Sequence, residues 1–186
     1  MYKRVIKNRW ILLAVTLIIF TASTIAQVEI HKNLPNIILS GTNGGNIDGS
    51  DWESGNLTNK INLIYYVSPS QQKVVQPLLE IIDDKNYPSE MLSTTIIINT
   101  KATWIPNSVI VGKVKGKAKE DTTKTYVLDK KEILLKEWSL SEDNPNILLI
   151  NGKGEVVFIH TDELAEEIEN ELIDQIELLI NKGESK

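Results

Sequence analysis

The stretch that decides the fold is Ile61-Asn62-Leu63-Ile64-Tyr65-Tyr66-Val67-Ser68-Pro69-Ser70-Gln71-Gln72. Its first seven residues are β-branched, aromatic and almost continuously apolar, which predicts a strand buried on both faces. Ser68 and Pro69 end that strand, and apolar residues at helical spacing then follow from Val74 to Ile82. We therefore predict a helix over 71–83 with Pro77 inside it, where a proline should kink the helix.

Further elements follow along the chain. Residues 93–98 (STTIII) predict a second buried strand, and strand, crossover helix and strand in this order predict a parallel βαβ unit. Residues 125–129 predict another strand, whereas 130–138 fits either a short helix or a strand. Residues 147–160 predict a β-hairpin with a glycine-containing turn. A final helix is predicted with Thr161 as its cap and Asp162 and Glu163 in its first turn.

This order of elements predicts an α/β fold. The expected architecture is a four- or five-stranded central mixed sheet with helices on both faces, formed by residues 27–186 as one domain. Between the elements, 41–56 is rich in Gly, Asn, Asp and Ser and is interpreted as a turn region. Asn46, Asp48 and Asp51 have a spacing similar to a calcium loop, but no glutamate stands at its closing position.

The first 26 residues differ in composition from the rest. Four basic residues precede an apolar run from Trp10 to Phe20, and small and polar residues follow up to Ala26. A basic start, a short apolar middle and a small-residue end are typical of a secretory signal peptide. The run is shorter than the roughly 20 apolar residues of a spanning helix. We therefore predict cleavage after Ala26 and a periplasmic mature chain; the alternative is an uncleaved segment that anchors the protein to the membrane.

The charge balance argues against nucleic acid as a partner. Residues 1–26 contain four bases and no acid, so the net charge of −5 for the whole chain becomes −9 for residues 27–186. Phosphate contacts are supplied mainly by Lys and Arg, which makes an acidic chain a poor nucleic-acid binder. The basic stretch Lys113–Lys119 holds four lysines and no aromatic residue. We interpret it as a solvated loop or an edge strand.

The chain contains no cysteine and only two histidines, His31 and His160. It therefore has no thiolate nucleophile, no disulfide and no cysteine ligand for zinc or an iron–sulfur cluster. A metal site built on three histidines is also excluded within one chain. We predict neither a cofactor nor a metal site.

The order of elements resembles the thioredoxin fold. In redoxins a buried strand runs into Cys-x-x-Cys, and the following helix carries a proline five residues after the second cysteine. Counted back from Pro77, the two cysteine positions fall on Pro69 and Gln72, so thiol–disulfide exchange is excluded. The fold family also has a cis proline directly before the hairpin, and Pro145 matches that position. The resemblance implies a thioredoxin-like three-layer fold and a cis peptide bond at Pro145.

A narrower resemblance covers most of the chain beyond residue 26. The segments 93–100 (STTIIINT), 105–108 (IPNS), 126–129 (YVLD) and 138–140 (WSL) are similar, as an ordered set, to the YtfJ family. That family consists of small exported bacterial proteins with a thioredoxin-like fold and no settled biochemical activity. The resemblance implies a location and a fold, and little about mechanism.

What remains of a redoxin site without cysteines is a loop at the carboxyl end of a central strand, facing a proline. We therefore expect a peptide- or protein-binding module, or a structural one, whose partner is an extended peptide or another exported protein. The contacts are predicted from Ser68, Pro69, Ser70, Gln71, Gln72, Asn144 and Pro145. Strand-like addition of a peptide is the physical mode. The alternative is that these residues only close the loop and cap the helix.

A second hypothesis is a hydrolase-like periplasmic enzyme. His160 with Asp162 and Glu163 is the tightest titratable cluster, but the chain has no GxSxG elbow, and a lone histidine at a strand end is more often structural. Regulation of transcription is a third hypothesis, opposed by the acidic charge and the lack of a recognisable DNA-reading helix. Trp52, in the polar loop, and Trp104 are the aromatic residues that we expect to be exposed, and either could anchor a partner, although core packing is the commoner role.

Overall fold

The structure is a computed structural model that describes residues 27–183, so the predicted signal peptide lies outside the described residues. Its strands are β1 (Ile38–Leu39), β2 (Gly44–Asn46), β3 (Trp52–Glu53), β4 (Ile61–Val67), β5 (Leu92–Asn99), β6 (Lys124–Asp129), β7 (Asn146–Ile150) and β8 (Val156–His160). Its α-helices are α1 (Gln72–Asp84), α2 (Asn107–Glu120), α3 (Ile133–Glu137) and α4 (Glu166–Asn181). The predicted helix with Pro77 is therefore confirmed, and 130–138 contains a short helix.

One mixed sheet of six strands, in the order β2-β6-β5-β4-β7-β8, forms the centre of the fold. β4, β5 and β6 are parallel, while β7 is antiparallel to β4 and to β8, which confirms the predicted βαβ unit and hairpin. The sheet exceeds the predicted four or five strands because β2, inside the predicted turn region, pairs with the edge of β6. Gly44 permits this approach, since a Cβ atom there would collide with the Leu128 carbonyl oxygen.

Both faces of the sheet are covered, as predicted. The two crossovers β4-α1-β5 and β5-α2-β6 step in the same direction, and right-handed crossovers therefore place α1 and α2 on one face, where α4 joins them. The opposite face packs against α3 and against the segment that precedes β4. Trp52 and Trp138 meet edge to face in that second core, with ring centroids 6.3 Å apart.

The stretch Lys113–Lys119 lies in α2, so the prediction of a loop or an edge strand was wrong. Gly112 and Gly116 lower the helix propensity of this segment, and only Ile110 and Val114 are buried along it. The helical period was therefore weak in the sequence. A helix forms nevertheless because the parallel strands β5 and β6 require a crossover, and the crossover packs two apolar residues onto the sheet.

The last helix begins at Glu166 with Ala165 before it, so the prediction of Thr161 as its cap was also wrong. The Asp162 carboxylate instead accepts a hydrogen bond from the Glu163 amide, 2.9 Å away, within the connection between β8 and α4. Glutamates inside the helix take the acidic positions of its first turn. Within residues 27–183, no helix combines the length and the apolar character needed to cross a bilayer.

Candidate functional site

Two chain segments meet where β4 ends. The loop 68–71 leads from β4 into α1, and the turn 141–145 leads into β7. Tyr66 lies opposite Asn146 in the antiparallel ladder, so the two connections leave the sheet side by side. The Gln71 side chain joins them, because its Nε2 donates to the Glu142 carbonyl oxygen over 3.3 Å. The structure thus brings together the two groups of predicted site residues.

The loop 68–71 is closed by its own hydrogen bonds. Gln71 Oε1 accepts from the Ser68 amide at 2.8 Å, and the Gln71 amide donates to the Ser68 carbonyl oxygen at 3.1 Å. The Ser68 and Ser70 hydroxyls are 2.9 Å apart. These contacts occupy the polar groups of the buried Ser68, which gives Ser68 and Gln71 a structural role in the loop.

The turn 141–145 is held by Asn146, a residue that the sequence analysis did not single out. Its buried Oδ1 accepts from the Ser141 amide at 2.7 Å, and its Nδ2 donates to the carbonyl oxygens of Ser141 and Asn144. The Asn144 amide donates to Ser141 Oγ at 3.3 Å. The signal in the sequence was an amide side chain opening the otherwise apolar run that becomes β7.

Pro145 is preceded by a trans peptide bond, so the predicted cis bond was wrong; residues 27–183 contain no cis peptide bond. The Asn146 side chain ties Ser141 and Asn144 together and so shapes the turn before Pro145. The chain reaches β7 in this way with the trans isomer, which is the favoured form of an X–Pro bond. Pro145 itself is buried against the sheet end.

The accessible part of the site consists of Pro69, Ser70, Gln72 and Asn144. Ser70 is exposed and the other three are half-buried. Asn144 Nδ2 lies 3.4 Å from Asp162 Oδ1, at the rim of the turn. On the other side of the loop, Pro69, Ser70 and Gln72 line a groove of about 430 Å³. Trp104 stands at this groove and is 91% exposed, as predicted. The prediction that Trp52 is exposed was wrong, because it is buried against Trp138 in the second core.

A buried carboxylate positions the chain that leads into the turn. Asp129, at the end of β6, accepts hydrogen bonds from the amides of Ile133 at 3.0 Å and Leu134 at 2.9 Å, at the start of α3. The Tyr66 hydroxyl donates to the same carboxylate over 3.1 Å. Burial, together with the charge of Asp129, raises the pKa of Tyr66 far above its ordinary value, so the hydroxyl stays a donor. Sequence reasoning missed this pair because its members are 63 residues apart.

The residues of the enzyme hypothesis do not form a catalytic arrangement with one another. His160 Nε2 lies 3.0 Å from the backbone carbonyl oxygen of Glu163, and the Asp162 carboxylate is engaged by the Glu163 amide. In the part of the chain that the structure describes, His, Asp and Glu form no cluster that could hold a metal ion. The segment with Asn46, Asp48 and Asp51 is a turn in which Asp48 accepts from the Ser50 amide at 2.9 Å.

A family model described as "Bacterial protein of unknown function (YtfJ_HI0045)" matches residues 19–180, which include the whole site. The chain belongs to this family. The predicted YtfJ resemblance is thereby confirmed. A YtfJ-family relative from Haemophilus influenzae, described as an uncharacterized protein, is 25% identical over 169 residues; the match covers 86% of this chain and 91% of that protein.

Solved structures similar to this YtfJ-family chain share its fold. The exposed lipoprotein thioredoxin Etrx1 of Streptococcus pneumoniae matches with a TM-score of 0.56 and 13% identity, over 78% of this chain and 100% of that one. A secreted Mycobacterium tuberculosis disulfide oxidoreductase matches at 0.55 and 12%, over 77% and 96%. The thioredoxin domain of a Bacteroides vulgatus thiol-disulfide oxidoreductase matches at 0.55 and 16%, over 81% and 99%.

These likenesses confirm the predicted fold class, an α/β thioredoxin-like fold, for this member of the YtfJ family. At identities this low they concern the fold alone. Since the chain has no cysteine, the thiols on which disulfide exchange depends are absent from it. Proline and glutamine occupy the positions that the redoxin pattern assigns to cysteines, at the accessible part of the site.

Proposed function

We propose that this protein is an exported thioredoxin-like module without thiol redox activity that binds an extended peptide or a segment of another exported protein. The observation that carries the proposal is the junction of the loop 68–71 with the turn 141–145, joined by Gln71 and Glu142. The junction combines a rigid base with an accessible rim. A preorganised surface of this kind lowers the entropic cost of binding.

The contacts divide the predicted site residues into two groups. Ser68, Gln71 and Pro145 form the base, since they are buried or engaged within the loop and the turn. Ser70 and Asn144 form the rim, together with Pro69 and Gln72. The Asn144 amide and carbonyl are occupied within the turn, so the partner is bound mainly through the rim side chains and not by strand addition at that residue.

The location is part of the proposal. The basic and apolar composition of residues 1–26 supports export, and the names of two neighbours in fold describe an exposed lipoprotein and a secreted protein. Fractionation of cells that produce the full chain, with intact-mass measurement, tests this part. We expect a periplasmic product that begins at Gln27. A full-length product in the membrane fraction would show that the segment is retained.

Binding is tested by selecting ligands from a phage-displayed random peptide library, followed by titration of the selected peptides. Ser70→Arg and Asn144→Arg place a long charged side chain on the rim and should weaken binding by at least about tenfold, the typical effect of disrupting a hot spot. The matched controls are Ser89→Arg and Asn170→Arg, because both residues are exposed and lie outside the site. The controls should bind like the unmodified protein.

Two outcomes would contradict the binding proposal. If the rim variants bind the selected peptides as well as the control variants do, the junction is not the binding surface. If the library yields no ligand at all, the structural alternative, in which these residues only close the loop, explains the site. Urea unfolding of every variant shows whether a loss of binding comes from a loss of folding.

A further inference from the structure

A groove lined by lysines and apolar residues lies beside the rim. The lysine groove, as we call it, lies between the start of α1, residues 103–105 and α2, and has a volume of about 430 Å³. Its decisive lining residues are Lys73, Trp104, Ile110, Lys113, Val114 and Lys117. Lys117 Nζ reaches across it to Gln72 Oε1 over 3.5 Å. The groove therefore begins directly at the rim of the proposed peptide site.

The lysine groove is positively charged, opposite to the net charge of the chain. No aspartate or glutamate lines the lysine groove, whereas the whole chain carries a net charge of −5. Among residues 27–183, no carboxylate lies within 4.0 Å of the amino groups of Lys73, Lys113 or Lys117. Three amino groups around one opening, none of them paired with a carboxylate of the described residues, attract an anionic group. Charge complementarity thus indicates an acidic occupant.

The floor of the groove is apolar. Ile110 and Val114 are buried beneath it, and a recess of about 210 Å³ continues over Val75, Leu79 and Tyr126. Asp83, Glu120, Asp121 and Lys124 also line that recess, and Lys124 Nζ contacts Asp83 at 2.8 Å and Asp121 at 2.6 Å. Because the apolar residues lie next to these charged ones, the recess offers space for an aliphatic side chain, while carboxylates are favoured only at the groove lysines.

Trp104 is presented on a loop that is anchored at its start. Asn99 Oδ1 accepts from the amides of Lys101 at 3.0 Å and Ala102 at 3.2 Å. Lys101 Nζ also pairs with Glu132 at 2.9 Å. Large aromatic side chains are rarely left this exposed without packing, and tryptophan is the residue most enriched at binding hot spots.

We propose that the lysine groove binds an acidic segment of the peptide partner, with carboxylates on Lys73, Lys113 and Lys117, an aliphatic side chain in the adjoining recess, and Trp104 packed against the bound segment. This inference rests on the proposed function and specifies the chemistry of the ligand. The occupant is not the amino-terminal segment of the chain, because Lys3, Arg4, Lys7 and Arg9 would be repelled by the groove lysines. A peptide is favoured over a free anion because the groove continues the rim of the site.

The test uses the protein as it is purified from the cells that produce it. Fluorescein-labelled peptides of alternating Glu and Leu, Gln and Leu, or Lys and Leu are titrated by fluorescence polarisation, together with an oligothymidylate. The double variant Lys113→Glu/Lys117→Glu reverses two groove charges. Lys115→Glu/Lys119→Glu is the matched control, since it makes the same change on α2 at exposed residues that do not line the groove.

We expect the acidic peptide to bind at least about tenfold more tightly than the basic one and the groove variant to lose about tenfold or more, because both charges change sign. The control should change affinity by less than about twofold, and added salt should weaken the acidic peptide. Acrylamide quenching gives an independent reading. Trp104 is exposed while Trp52 and Trp138 are buried, so a bound peptide should reduce the quenching, and Trp104→Phe should remove this effect.

Failure of the groove proposal and failure of the proposed function would give different results. If Asn144→Arg weakens peptide binding but the groove variant equals its control, the proposed function stands and the acidic groove is wrong. If the groove variant loses the acidic peptide while Asn144→Arg, which lies outside the groove lining, binds normally, the groove is right and the rim is wrong. Equal affinity for oligothymidylate would overturn the assignment to a peptide. Failure of all three peptides to bind would overturn the groove proposal.

Discussion

Replacing Asp129 by alanine should destabilise the protein strongly, although the residue lies beneath the candidate site and not in it. The side chain is fully buried and holds both the Tyr66 hydroxyl and the start of α3. Asp129→Ala leaves that hydroxyl buried without its partner, at about 1–3 kcal/mol. Loss of the acceptors at the start of α3 adds about 0.5–2 kcal/mol, the usual cost of losing a helix cap. We expect a total loss of about 1.5–5 kcal/mol, out of the roughly 5–15 kcal/mol of a typical domain.

A double variant separates the penalty for the unpaired Tyr66 hydroxyl from the other effects of losing Asp129. Tyr66→Phe alone removes one hydrogen bond to a charged acceptor and should cost about 1.5–3 kcal/mol. In Tyr66→Phe/Asp129→Ala, however, no hydroxyl is left unpaired, so the penalty for that buried group disappears. The double variant should therefore be at least as stable as Asp129→Ala, and the two single losses should not add.

The assay is urea unfolding followed by tryptophan fluorescence. Trp138 directly follows α3 and is buried, so its emission reports the region that the substitution disturbs. The free energies of unfolding are compared at a common slope with urea concentration, since a changed slope would signal a different unfolded or native state. A double variant whose loss equals the sum of the two single losses would refute the hydrogen-bonded pair as the source of the effect.

Two further predictions concern charge and the redoxin positions. Burial opposes ionisation of Asp121, but hydrogen bonds from Lys124 and Thr123 outweigh it and hold the pKa of Asp121 below its ordinary value of 3.8. The ionised Asp121 therefore contributes to stability above about pH 3.8, and this contribution is lost as the pH falls through the lower pKa of the folded state. Lys124→Met should flatten this part of the curve of unfolding free energy against pH. An unchanged curve would contradict the role of Lys124. Pro69→Cys/Gln72→Cys should form an internal disulfide, because residues three apart in a turn that enters a helix lie close together, whereas Gln72→Cys alone should keep a titratable thiol in the monomer. Thiol titration before and after reduction decides this, and two free thiols in the oxidised double variant would exclude the expected geometry.

The sequence predicted those elements whose apolar pattern is strong. β4, α1 and the hairpin of β7 and β8 were recognised because continuous or periodic apolar residues are a local signal. α2 was missed, since its glycines and alternating lysines obscure the helical period. Pro69 and Gln72 were predicted from the spacing to Pro77, and Asn144 from the match of Pro145 to the redoxin proline. Asn146 and Asp129, which hold the turn and α3, were not predicted. Asp129 contacts Tyr66 on another strand, which no local pattern reveals. The contacts of Asn146 with Ser141 and Asn144 are close in sequence, but they depend on the conformation of the turn.

The amino-acid sequence by itself determined the absence of thiol chemistry, the acidic character of the chain and the α/β order of its elements, because these depend on composition and local periodicity. The tertiary structure alone decided the rest. The union of the loop 68–71 with the turn 141–145 and the gathering of Lys73, Lys113 and Lys117 around one groove result from packing between distant segments. The trans bond at Pro145 belongs to a turn that the Asn146 side chain shapes. Side-chain hydrogen bonds and crossover geometry fix such contacts, and these depend on where the whole sheet places each chain end.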